Sequence, residues 1–158
     1  INPNKNQVYI KIISEVLSEL SKKYHLVISL ANADTMGSLY RESSRKLKIK
    51  HPNKITLIEN FGKYNYFAAI KSSKILLGNT SSAILEAASF GKYAINVGDR
   101  QLGREANKNI LHVPANKEKI IKSMGSKKLK SDAISGSDRF FVKNAPEISA
   151  KIVENHLK

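Results

Sequence analysis

The 158-residue sequence contains no cysteine, which excludes disulfides, thiolate zinc sites and cysteine nucleophiles. No apolar run approaches the ~20 residues a bilayer-spanning helix needs, and the N-terminus lacks the layout of a signal peptide. The expected compartment is therefore the cytoplasm. Acidic residues are scarce, 13 against 27 Lys+Arg, for a net charge of +14. Such an excess suits nucleic acid, an anionic membrane surface or a small anionic ligand. Arginine is scarce too, with 5 against 22 lysines. Because arginine is the usual reader of guanine edges, this weighs against nucleic acid. The lysines are scattered. Their densest cluster, Lys117 to Lys130, reads as a solvated helix face or as a phosphate-binding patch. His25, His51, His112 and His156 lie far apart without metal-ligand spacing. Neither a metal nor another cofactor is called for. Asp34 and Asp99 are isolated loop carboxylates and weak candidates for a general base.

What is present is the balance of a globular domain. Hydrophobic residues make up 41% and charged residues 25%, and the length suits one domain, 1–158. Val8, Ile12, Ile13, Val16, Leu17 and Leu20 recur at helical spacing and predict an amphipathic helix over 5–23. The apolar run 25–31 reads as a buried strand. A polar helix over 35–49 follows, closed by His51-Pro52-Asn53. The pattern continues with a strand at 55–59, a helix at 63–71 and a strand at 75–77. An alanine-rich helix then ends at Gly91, a natural C-terminal cap. Strands at 93–97 and 110–113, a helix at 117–129, a loop over 131–144 and a helix from Pro146 to His156 complete the chain. Alternating strands and helices with short connections favour an α/β fold, a Rossmann-like parallel sheet with helices on both faces. In open parallel sheets ligands bind beyond the carboxyl ends of the strands.

One such end carries chemistry. The third strand runs into Gly78-Asn79-Thr80-Ser81-Ser82 and then into a helix. Glycine permits a tight turn and close ligand approach. The hydroxyls stand beside free N–H groups, which suits a diphosphate, although the glycine spacing is neither that of a Walker loop nor of the dinucleotide fingerprint. Ordinary N-capping by Thr80 or Ser81 is the equal alternative. Glu86 shares a helix face with Ser82. A carboxylate there can accept hydrogen bonds from both ribose hydroxyls, or it can simply face solvent or support the cap. Ile84, Ala87 and Ala88 form the helix's apolar side. In the loop 98–105, Arg100 and Arg104 can pair with phosphate oxygens or with Asp99 and Glu105. Tyr64, Tyr66 and Phe67 can stack on a base or pack in the core.

The segments GNTSSAILEAASFGK and INVGDRQLGREANKNILHVP resemble the C-terminal half of the UDP-N-acetylglucosamine 2-epimerases, in particular the hydrolysing branch of sialic-acid and amino-sugar metabolism. Ala31 to Asp34 and the closing SGSDRF…APEISAKIVENHL fit in the same order. The resemblance implies a glycosyltransferase-B-type architecture of two Rossmann-like domains, of which this chain is the second. It implies that Thr80 and Ser81 hold the diphosphate of UDP, that Glu86 binds the ribose, and that Arg100 contacts phosphate. Asn32 and the backbone around Phe61 would line the nucleotide site. The implied reaction eliminates UDP from UDP-N-acetylglucosamine and yields N-acetylmannosamine, with the acid and base carboxylates on the missing N-terminal domain and a homo-oligomeric parent. No catalytic residue falls within this chain, which by itself is expected to be inactive. The family's His-Pro motif is absent, since His51-Pro52 falls after the second helix. Tyr93 and Ala88 replace frequent prolines. The resemblance also implies that the domain opens with a central strand, which is expected to lie upstream of Ile1. Three outcomes are open: residues upstream supply it, the neighbouring strands pair directly, or another chain fills the gap. Two rival readings remain, the UDP-sugar-binding half of a related glycosyltransferase and a basic polyanion-binding module.

Overall fold

The computed structural model describes residues 3–30, 35–126 and 129. The predicted alternation is present: α1 (Pro3–Ser21), β1 (Leu26–Ser29), α2 (Thr35–Lys50), β2 (Ile55–Ile58), α3 (Gly62–Ser72), β3 (Leu76–Gly78), α4 (Ser81–Leu85), β4 (Ala94–Val97), β5 (Ile110–Val113) and α5 (Lys117–Met124). The predicted loop over 131–144 and the helix from 146 to 156 lie outside the described residues.

All strand pairs are parallel, but they form two sheets, β1-β2 and β3-β4-β5, where the sequence predicts one. In the first sheet Leu26 sits opposite Ile55 and Ser29 opposite Ile58. In the second, Leu76 pairs with Ala94, and Ala94 in turn with Ile110. Among the described residues β1 and β3 do not pair with each other, so direct pairing of the strands beside the expected central strand is the outcome the structure overturns.

Alternation along the second sheet divides its side chains between two layers, as strand geometry requires. Ile95 and Val97 of β4, with Val113 of β5, face α1 and α5, where they meet Val16, Leu20 and Ile120. Ala94 and Ile110 point the other way, against Ala83, Ile84 and Ala87. The sheet is thus covered on both faces, the condition under which parallel strands are stable. Val16, Ile55, Ile95 and Ile120 are fully buried, and each such side chain contributes roughly 1.5–3 kcal/mol relative to exposure.

Two helix ends differ from expectation. Helix α5 stops at Met124, with Gly125 as its C-cap. The alanine-rich helix does not run unbroken to Gly91. It halts after Leu85, and a separate 3₁₀ turn spans Ala88–Phe90. Tightening into 3₁₀ geometry is usual near a helix end. Gly91 still performs the predicted capping: its φ of 64° is left-handed, and Lys92 N–H donates back to the Ala87 carbonyl at 2.8 Å.

Candidate functional site

The loops at the carboxyl ends of β3 and β4 meet. The Gln101 side chain is buried, and its Nε2 donates to the Asn79 carbonyl at 2.9 Å. This bond ties the Arg100 loop to the turn that carries Thr80. Gln101 stands in the quoted GDRQ segment, yet it drew no role from the sequence. A glutamine in a polar loop carries no periodic signal, and only the fold shows that it is buried. Its Oε1 is also buried without a protein partner.

Thr80 caps α4: its hydroxyl oxygen accepts from Ala83 N–H at 3.4 Å. That is the capping alternative, but it engages only the oxygen as acceptor, so the Thr80 hydroxyl proton remains available to an anion. Ser81 is exposed beside it. Ser82 is half-buried and donates along the helix to Glu86 Oε2 at 2.5 Å. Of the three hydroxyls, then, Thr80 and Ser81 line the turn, while Ser82 serves Glu86. Because α4 has only five residues, its macrodipole is small, and individual N–H groups and hydroxyls carry whatever anion affinity the turn has.

Phe61 is the N-cap of α3. The turn there depends on Gly62, whose φ is 62° and whose N–H donates to Asn60 Oδ1 at 2.8 Å. A row of rings continues from it: Phe61 to Tyr66 at 5.8 Å, Tyr66 to Phe67 at 6.3 Å and Phe67 to Phe90 at 5.4 Å. Tyr64 is excluded from the row and is 86% exposed. The predicted aromatic cluster therefore splits, with Tyr66 and Phe67 packed and Tyr64 in solvent. Tyr66 also bonds through its hydroxyl to Ser82 Oγ. Burial raises the Tyr66 phenol pKa, the Ser82 hydrogen bond lowers it, and the Glu86 charge raises it again.

Arg100 is exposed. Among the described residues neither it nor Arg104 forms an ion pair with Asp99 or Glu105. Two of the other arginines are engaged, since Arg41 and Arg45 both reach Glu59. Arg100 lies close enough to Tyr9 and Tyr40 to oppose the upward shift of their phenols. That shift comes first from burial, and it carries Tyr40 up to about 12. Gly98, two residues before Arg100, lies against Tyr9. Its φ is 81°, and a Cβ there would meet the Tyr9 ring at 3.4 Å. Asn32 lies outside the described residues. A cleft of about 420 Å³ between α1 and α2 and another of about 490 Å³ beside α5 include none of Thr80, Ser81, Glu86 and Arg100. The structure thus joins Thr80, Ser81 and Glu86 on one turn and short helix. Gln101, the residue after Arg100, ties the Arg100 loop to that turn.

No helix among the described residues is long and apolar enough to cross a membrane, and no group of His, Asp or Glu there could hold a metal ion.

Comparison with known proteins identifies the family. The sequence profile of UDP-N-acetylglucosamine 2-epimerase matches residues 2–154. The chain is 33% identical over 133 residues to the GDP/UDP-N,N'-diacetylbacillosamine 2-epimerase (hydrolyzing) of Campylobacter jejuni, covering 84% of this chain and 34% of that protein. It is 31% identical over 116 residues to the UDP-N,N'-diacetylbacillosamine 2-epimerase (hydrolyzing) of Legionella pneumophila, covering 73% and 30%. To the polysialic acid biosynthesis protein P7 of Escherichia coli it is 32% identical over 153 residues, covering 92% and 38%. The chain spans about a third of the length of these curated relatives. A profile that takes in the Thr80 turn, Glu86, the GDRQ loop and nearly every residue around them leaves one assignment: this chain belongs to the UDP-N-acetylglucosamine 2-epimerase family.

Proposed function

We propose that this chain is the nucleotide-binding part of a hydrolysing 2-epimerase and grips the UDP portion of a UDP-2-acetamido sugar. The observation that carries the reading is the 2.9 Å bond from Gln101 to Asn79, which brings the arginine loop against the hydroxyl-bearing turn. In this reading Thr80 and Ser81 donate to the diphosphate, and Glu86 accepts from the ribose hydroxyls. Arg100 pairs with a phosphate oxygen, while Asn32 and the backbone around Phe61 flank the nucleotide. Two relatives are named for a diacetylbacillosamine nucleotide and one for polysialic acid biosynthesis. A UDP-linked 2-acetamido sugar is the chemistry common to that reading and to UDP-N-acetylglucosamine.

The reaction proposed for the whole enzyme begins with loss of the proton at C2 and rupture of the C1–oxygen bond, releasing UDP and leaving a C1=C2 glycal. Water then adds, with its hydroxyl going to C1 and a proton to the opposite face of C2. From UDP-N-acetylglucosamine the products are N-acetylmannosamine and UDP. The contribution of this chain is to stabilise the charge that builds on the departing diphosphate. The proton-transfer carboxylates belong to the rest of the enzyme.

Calorimetric titration with UDP tests the reading. Saturable binding is expected, and loss of a charge-assisted contact in Arg100→Ala or Glu86→Ala should weaken it about tenfold or more. Polyanion binding that falls steeply with salt and ignores Glu86 would instead favour a basic binding module. Release of UDP from UDP-N-acetylglucosamine by this chain alone would refute its catalytic incompetence.

A further inference from the structure

We infer that Tyr66 is a positioning residue that orients the Glu86 carboxylate through Ser82 and so gives the site its preference for a ribose over a 2′-deoxyribose diphosphate. The inference rests on the nucleotide reading above and deepens it.

The argument starts from proton counting. Ser82 has one hydroxyl proton, and it is committed to Glu86 Oε2 at 2.5 Å. The Tyr66 hydroxyl also bonds to Ser82 Oγ. With its own proton spent, Ser82 can only accept there, so Tyr66 donates. The two bonds thus run in one direction, from phenol to hydroxyl to carboxylate. Tyr66 can hold that role at neutral pH because a phenol is protonated there, and burial raises its pKa further. Its ring is fixed between Phe61 and Phe67, so the chain is anchored on α3, a different element from the one that carries Glu86.

The consequence falls on the carboxylate. Glu86 is the C-cap of α4, with φ −108°, at a point where the helix is breaking up. The Glu86 backbone is held there, its carbonyl accepting from Ser89 N–H at 3.1 Å, whereas the hydrogen bond that holds its side chain comes from Ser82. Pinning Oε2 with a directed hydroxyl fixes the carboxylate plane and leaves Oε1 to accept from a vicinal diol. Removing the phenol leaves the Ser82 hydroxyl free to rotate, and the carboxylate plane is no longer set.

The experiment compares binding of UDP and of 2′-deoxyuridine 5′-diphosphate by calorimetry to the full chain and to Tyr66→Phe, Ser82→Ala and Glu86→Gln. Tyr66→Phe keeps the ring contacts, and thermal unfolding checks that each variant folds. The unaltered chain should prefer UDP by roughly tenfold, the size of one hydrogen bond to a charged group. Tyr66→Phe and Ser82→Ala should each bring that ratio toward one while leaving affinity for the deoxy compound nearly unchanged. A merely structural tyrosine would weaken both ligands alike, and that outcome overturns the inference. If Glu86→Gln removes the preference and Tyr66→Phe does not, the role of Tyr66 fails while the nucleotide site stands. If the unaltered chain binds neither diphosphate, or Glu86→Gln changes nothing, the nucleotide reading fails and the inference with it.

Discussion

Strand β4 lies between two partners, and all four of its residues are buried, whereas β1 has a single partner and exposes alternate residues, Val27 to 53%. In sequence the two look alike, since HLVISLA and YAINV are both short apolar runs. The difference shows that an apolar run specifies a strand that can be buried, while its neighbours decide whether it is. Around β4 those neighbours are all present: β3 and β5 at its edges, α1 and α5 on one face and α4 on the other. Around β1 the edge away from β2 pairs with nothing among the described residues.

Core truncation tests this contrast most severely. Ile95→Ala should cost about 3 kcal/mol, since it removes packing on a fully buried residue. Val27→Ala should cost under about 1 kcal/mol because half of that side chain is already in water. Urea unfolding of both variants measures the difference, and equal costs would show that β1 is as deeply embedded as β4.

Alkaline pH probes the seam between the two sheets. Tyr9 of α1 donates to the Val97 carbonyl of β4 at 3.4 Å and packs edge-on against Tyr40 of α2 at 6.2 Å. Burial raises both phenols above the ordinary 10.0, Tyr40 to about 12. Between those two values the unfolded Tyr40 loses its proton while the folded one keeps it. The folded state binds more protons in that window, so stability is full below pH 10 and falls as pH rises through 12. Chemical denaturation as a function of pH should show the decline, and Tyr40→Phe should flatten it. A Tyr40→Phe variant with the same alkaline slope would remove Tyr40 from the account.

Smaller effects separate the two loops that form the candidate site. Gln101→Ala should cost about 1 kcal/mol, because it leaves the Asn79 carbonyl without its partner. It should also weaken UDP binding by unfastening the Arg100 loop; unchanged binding would show that the seam does not position Arg100. Capping comparisons come last. Asn116→Ala removes an N-cap bond of 2.9 Å from α5 and should cost about 1 kcal/mol. Thr80→Ala removes a longer one of 3.4 Å from α4 and should cost about half as much. A larger cost for Thr80 would make the cap its main duty.

Much of the candidate site could be read in the sequence because its parts are local. Thr80, Ser81 and Glu86 fall within one turn and one short helix, and Phe61 stands at the head of the next helix upstream. Spacing along a single element is visible in one dimension. Gln101 and Tyr66 were not legible in the same way. The bond from Gln101 spans 22 residues and the one from Tyr66 spans 16, and neither residue type announces such a contact. The break after Leu85 was hidden for a related reason: alanine-rich sequence has high helix propensity, while the path of the chain toward Phe90 and its contact with Phe67 is tertiary.

By itself the sequence determined the kind and order of the elements, because apolar periodicity and glycine caps act over a few residues. It also determined the hydroxyl-rich turn with its glutamate. The tertiary structure alone decided that the strands divide into two sheets and that a buried glutamine joins two loops. It alone decided that the Tyr66 hydroxyl on α3 meets the Ser82 hydroxyl on α4. Those outcomes depend on which groups lose water together, and chain spacing does not encode that.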